Sequence, residues 1–295
     1  MNTSIKDYVL KNPKKVSMKE STSYPGLFVL KYTRKVFYDS LWDEYLMNMR
    51  GLVVDADFNI VVRPFTKIFN RGENGTDIPR DSMVTTVRKV NGFMGAVTRT
   101  EKHGVIYSTT GSLDSEYAKL VQKHLGHINP LMFSLGLTYL FEICDESDPH
   151  IVPEEVGAYL LEVQLVDWED KRPFSQSYLD EIAYNFGVRR PEHKIGVFGH
   201  IVEELKECHH EGFVVHQLEE PYTVLKMKSP YYLMKKFVAR MKSENLDKML
   251  DTGSWKEKVD EEYYPLFEYL TVNRNIVTMN EQDRLIMIRN FLETH

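Results

Sequence analysis

The residues that could do chemistry are charges placed where strand patterns leave them little room. Lys89 stands three residues before Gly92 in VRKVNGFMGAV, with apolar residues crowding both sides. Glu142 is embedded in YLFEIC, Glu211 opens EGFVV, and Lys226 and Lys228 alternate with Leu225 and Met227 in VLKMKS. Residues two apart on a strand face the same side, so Lys226 and Lys228 point together. A buried charge without a partner is costly. Lysines on an inward face near carboxylates are most simply explained by an anionic ligand with a metal. Singly, each of these lysines reads as a solvated strand residue and Glu142 as a rim residue. Their order along one chain, K-x-x-G, then a strand bearing Glu, then E-G-apolar, then K-x-K, makes the stronger case.

Elements of both kinds must position these groups. RGLVVDADFNIVVRPF, GFMGAVTRTEKHGVIYSTTG and EGFVVHQLEEPYTVLKMKS read as β-hairpins with polar turns. LTYLFEIC and YLLEVQLVDW are lone apolar strands. In SLDSEYAKLVQKHL, Leu113, Tyr117, Leu120 and Val121 share a helical face and Ser112 is the expected N-cap. SYLDEIAYNFGV repeats the pattern, with Gly187 as the stop. After about Ser229 only helical patterns remain. The expectation is an α+β body of antiparallel sheets flanked by helices over residues 1–235, and a small all-α domain over 236–295.

Composition limits the function. The 295 residues, 42% hydrophobic, can bury a sizeable core. A net charge of −6 excludes a generally basic nucleic-acid binder, so any such contact is a local patch. Lys235, Lys236, Arg240 and Lys242 are the candidates. Two cysteines in unlike surroundings make no disulfide framework and suit a reducing cytoplasm. The first residues do not read as a signal peptide, and no run of 18 apolar residues occurs to span a membrane. The adjacent CHH, Cys208 to His210, lacks a second pair at ligand spacing and is not read as a zinc site. KMKSP resembles the lysine-rich loop of class I aminoacyl-tRNA synthetases, but no HIGH-like companion signature occurs in the chain. No G-x-x-x-x-G-K-[ST] occurs, so no P-loop kinase module is read.

Taken together, KVNG, YLFEICDESDPHIV, EGFVV and VLKMKS resemble motifs I, III, IV and V of the covalent nucleotidyltransferases, the superfamily of ATP-dependent ligases and mRNA capping enzymes. RGLVVD followed by VRPFTKIFNRGE, and STTGS over Ser108 to Ser112, are similar to the phage RNA ligase 1 family, over roughly residues 30 to 235. That family has K-x-D-G where this chain has Lys89-Val90-Asn91-Gly92, a K-x-N-G shared with the ligase module of fungal tRNA ligases.

The resemblance implies an ATP-grasp-like ligase fold and an ATP-dependent RNA ligase joining 5′-phosphate and 3′-hydroxyl ends, with tRNA-like loops as the expected substrate. It further implies a monomer acting in the cytoplasm, or, for a virus-encoded member, in that of a host, and, with no P-loop module in the chain, end-healing by a separate kinase or phosphatase is expected. Lys89 becomes the nucleophile that takes AMP. Glu142 and Glu211 hold Mg²⁺ or Mn²⁺, while Lys226 and Lys228 neutralise the α-phosphate. Arg50, Lys67 and Arg63 are candidates for phosphates, Asn70 belongs to the same block, and Val214 packs on adenine. Asn91 and Gly92 complete the nucleotide loop, Gly92 by letting the chain pass close to the nucleotide. A lysine titrates near pH ~10.4, so burial and nearby cations must release a neutral amine. Alternative readings are a DNA ligase, a capping guanylyltransferase, or a non-catalytic RNA-binding module derived from a ligase.

Overall fold

The computed structural model describes residues 4–148, 150–166, 173–233, 236, 241–258 and 264–294. Two compact units share the chain: Met1–Ile68 with Val90–Glu192, and Phe69–Lys89 with His193–His295.

The first unit is a four-layer stack. Strands β1 (Val16–Glu20), β2 (Phe28–Tyr32), β3 (Arg50–Val54) and β4 (Ile60–Val62) form an antiparallel sheet in chain order. Alternation divides their side chains. Leu30, Leu52 and Val54 pack with Val9, Val36 and Leu46 from helices α1 (Ile5–Lys11), α2 (Arg34–Tyr38) and α3 (Glu44–Asn48). Val29, Val53 and Val62 face the other way, onto Ala96, Ile106 and Leu140. Those belong to a second sheet, ordered β10-β9-β7-β8, of β7 (Phe93–Thr100), β8 (Gly104–Thr109), β9 (Leu137–Cys144) and β10 (Gly157–Leu165). Its outer face, with Val97, Phe141 and Leu160, is covered by α4 (Glu116–Leu125) and α5 (Gln176–Phe186). Interior strands covered on both faces need apolar residues at every position, which is why LTYLFEIC lacks polar alternation.

The second unit holds a five-stranded sheet, β11-β6-β12-β13-β5. Its strands are β5 (Phe69–Asn70), β6 (Met83–Arg88), β11 (His193–Val197), β12 (Gly212–Gln217) and β13 (Val224–Lys228). Pairing is antiparallel except for β13 with β5. One face, with Val84, Phe213, Val215, Leu225 and Met227, packs on Phe198 and Ile201 of α6 (Phe198–Glu207). Helices Ser243–Thr252, Trp255–Lys258, Tyr264–Val272 and Glu281–Thr294 keep a core of their own around Leu246, Trp255, Phe267 and Leu270.

The three expected hairpins are present as β3–β4, β7–β8 and β12–β13. Two details differ from the sequence reading. Helix α4 starts one turn late, because the Ser115 hydroxyl, not that of Ser112, accepts from the Ala118 N–H. Tyr117 is consequently exposed, and Ala118, Val121 and Leu125 form the buried stripe. Second, β6 and β7 flank the Lys89 loop yet belong to different sheets. Gly187 ends α5 in the left-handed conformation, as expected. Lys235 and Arg240 lie outside the described residues. No helix among the described residues is long and apolar enough to cross a membrane.

Candidate active site

In the second unit the charged residues converge. The Lys89 N–H donates to the Gly212 carbonyl at 2.8 Å, which extends the β6–β12 ladder by one residue and fixes the Lys89 backbone. Lys89 Nζ then meets Glu211 Oε2 at 2.9 Å, and Lys228 Nζ lies 3.5 Å from Glu211 Oε1. The Glu211 side chain is 4% exposed and that of Lys89 23%. One buried carboxylate thus stands between two ammonium groups. An ion pair favours the ammonium over the free amine. The opposing carboxylate is therefore Glu211, not a residue at position 91, and any chemistry at Lys89 must first break this pair.

Backbone detail makes the cluster possible. Gly212 has φ +137, and a Cβ there would lie 2.0 Å from the Met227 carbonyl oxygen, so only glycine fits. His210 Nδ1 accepts the Gly212 N–H at 3.2 Å, and the Ser229 N–H donates to the Glu211 carbonyl at 2.9 Å. His210 is accordingly a structural acceptor. Among the described residues no three His, Cys, Asp or Glu side chains come together. Cys144 and Cys208 are both buried and form no disulfide.

Register sorts the remaining residues of this sheet. Val214 pairs with Lys226 across β13 and with Val87 across β6, and Gly212 pairs with Lys228. Val87, Val214, Lys226 and Lys228 therefore share the face opposite α6. Lys226 also pairs with Asn70, whose amide and backbone N–H groups both donate to Glu73 Oε2 at 2.9 Å. Lys228 Nζ stands 5.1 Å from the centre of the Tyr232 ring.

In the first unit, Glu142 lies within β9, two residues before its end, and accepts the Gly92 N–H at 3.0 Å. A Cβ on Gly92 would lie 2.3 Å from the Ile143 carbonyl oxygen, so the glycine is required by the approach of β9 itself. Asn91 is buried, its N–H directed at Glu154 Oε1 (3.3 Å) and its amide at the Val152 carbonyl (3.5 Å). Arg50 is exposed at the start of β3, opposite Lys31. The next residue, Gly51, has φ +96, and its Cβ would meet the Thr110 backbone at 2.7 Å, which seats the STTGS segment on β3. Lys67 is buried with Nζ 4.5 Å from the Trp42 ring, a cation–π contact. Arg63 is buried too. Its N–H donates to Thr138 Oγ1 and its guanidinium to the Leu165 carbonyl, both at 3.0 Å, which ties β4 to the second sheet.

Sequence reasoning passed over Asp145, directly after β9. Its buried carboxylate takes Lys123 Nζ at 2.6 Å, Ser147 Oγ at 2.6 Å and His124 Nε2 at 2.7 Å. These contacts, Lys123 foremost, hold its carboxyl well below the usual carboxylate range. It pins the loop beyond Glu142 to α4. The signal was present as an Asp directly past an apolar strand, but Lys123 and His124 are some twenty positions away.

Carboxylate oxygens are the donors that Mg²⁺ or Mn²⁺ takes, so the chemistry of Glu142 and Glu211 fits a hard divalent ion.

A family model described as RNA ligase matches residues 48–264. No curated protein sequence matches. Among solved structures, a protein named as a candidate ATP-dependent DNA ligase from Aquifex aeolicus is similar with TM-score 0.58 and 17% identity. The match covers 97% of this chain and 75% of that one. Two forms of an archaeal ATP-dependent RNA ligase are similar with TM-scores 0.58 and 0.57 and identities of 11% and 13%. They cover 95% and 98% of this chain and 72% and 75% of theirs. At these identities the likeness is one of fold.

Proposed function

Because the chain belongs to the RNA ligase family, we propose that it uses ATP to join a 5′-phosphate RNA end to a 3′-hydroxyl end through a covalent lysyl-AMP on Lys89. The observation that carries this reading is the Lys89–Glu211–Lys228 cluster on one sheet face. Lys89 gives up a proton, and its amine attacks the α-phosphorus of ATP. A P–N bond forms, the bond to the β-phosphate oxygen breaks, and pyrophosphate leaves. An oxygen of the RNA 5′-phosphate then attacks the same phosphorus, the P–N bond breaks, and the lysine recovers its proton. Finally the 3′-hydroxyl attacks the RNA phosphorus and AMP departs.

Lys228 and Lys226 meet the charge that builds on the α-phosphate during transfer. Lys228 also competes with Lys89 for Glu211, which loosens the pair that holds the nucleophile as ammonium. Val214 supplies an apolar surface for the base. Glu142 and Glu211 would hold the divalent metal, which offsets phosphate charge when bound. Arg50 and Lys67 are assigned to phosphates of ATP or RNA. The K-x-N-G form of the loop favours cleaved tRNA-like loops as the RNA.

Incubation with α-labelled ATP and Mg²⁺, without RNA, should label the protein, and Lys89→Ala should abolish the label. Label from GTP alone would mean capping chemistry, and none from either nucleotide would mean a binding module. Sealing of nicked RNA but not nicked DNA separates the proposal from a DNA ligase.

A further inference from the structure

His216 is on the lysine-bearing face of the five-stranded sheet, and nothing above gives it a role. Register sets it opposite Val224 in β13 and Thr85 in β6, in the row beyond Val214. Val214 is itself one row beyond Gly212, whose carbonyl holds Lys89. Four residues of extended strand rise ~13 Å. That run can hold a nucleoside monophosphate laid along β12, with its phosphate near the Lys89 and Lys228 row and its base over Val214.

The ring of His216 is part-buried, yet it has no hydrogen bond, ion pair or ring contact among the described residues. Its ring nitrogens are not among the fully enclosed unpartnered atoms, so they stay open to a group from outside the chain. Burial pushes the imidazole down to about 4, so at neutral pH it carries one N–H donor and one bare nitrogen acceptor. The residues in its own row are apolar or hydroxylic, Val224, Thr85 and, across β11, Ile195, and the next row holds Val214 and Lys226. A lone polar ring in such surroundings suits the polar edge of a flat heterocycle, with Val214 against the ring face.

We propose that His216 is a specificity-determining residue for the nucleotide, its bare nitrogen accepting from the exocyclic amine of adenine while Val214 supports the base. The proposal rests on the reading of Lys89 as the nucleotidyl acceptor. It adds the purine edge and the residue that reads it.

Lysyl-nucleotide formation from α-labelled ATP and from α-labelled ITP, which carries a carbonyl in place of the amine, tests it. Wild type should prefer ATP. His216→Ala should raise half-saturating ATP about tenfold, leave the maximal rate unchanged and bring the ATP-to-ITP efficiency ratio close to one. His216→Gln, which keeps an acceptor, should retain most of the preference. An unchanged ATP requirement and ratio in His216→Ala would overturn the proposal while leaving Lys89 as acceptor. If His216→Ala does not fold, wild type and His216→Gln decide, and a wild-type ratio near one overturns it. Absence of label in wild type with either nucleotide overturns both readings together.

Discussion

At the scale of single residues, the geometry around Lys89 depends on two glycines that leave no room for a methyl group. Gly92→Ala sets a Cβ 2.3 Å from the Ile143 oxygen, so β9 or the loop must shift. The expected cost is about 1–3 kcal/mol, read as a fall in Tm of several degrees, with slower lysyl-AMP formation because Glu142 loses its hold on the Gly92 N–H. A Tm within a degree of wild type would show that the approach relaxes freely. The position of Lys89 before K-x-x-G was legible in the sequence, as was the alternation of Lys226 and Lys228. The partner of Lys89 was not. Glu211 is 122 positions later, and nothing local in EGFVV says that its carboxylate turns toward β6. Asn91 was legible as a departure from K-x-D-G. Its setting gives the departure a physical sense: the side-chain amide can donate to the Val152 carbonyl, where a carboxylate would meet an acceptor.

Among elements, β10 carries a second unusual charge. Glu162 sits at a bulge in the β9–β10 pairing, 5% exposed, and burial raises its carboxyl to about 7 from 4.5. For an acid raised on folding, the native state keeps its proton longer than the unfolded chain does. Stability attributed to Glu162 is therefore fully present below about 4.5 and falls as pH rises through about 7. Glu162→Gln should raise Tm by a few degrees at pH 8, and that gain should fade toward pH 5; thermal melts across that range check it. A gain independent of pH would assign the effect to packing. The hairpins and lone apolar strands were visible because period-two patterns and turn residues are local. Hidden were strands β1 and β2 with α1 to α3, the strand β11 and helix α6. These owe their form to distant pairing, as β6 with both β11 and β12, and local sequence carries little of that information. The late start of α4 is a smaller instance: Ser112 and Ser115 are equivalent caps by composition, and tertiary packing chose the second.

For the whole molecule, an excess of six negative charges sets how RNA can be met. Contact confined to a few lysines and arginines should still release counterions. Affinity for a single-stranded RNA should fall roughly tenfold or more between 50 and 200 mM salt if three or more phosphates are neutralised. Binding flat across that range would mean that phosphates contribute little. The sheet that carries Lys89 also constrains how the chain can fold. Lys226 and Lys228 point one way from β13, and Leu225 and Met227 point the other, onto Phe198 and Ile201. A slip of one position between β12 and β13 would reverse every side chain of the slipped strand. Two ammonium groups would then be pressed into the apolar layer under α6, and two core residues would lose their burial, each error costing several kcal/mol. The lysines assigned to chemistry thus also reject the off-by-one pairing, so that a chain assembling this sheet can complete it in a single alignment.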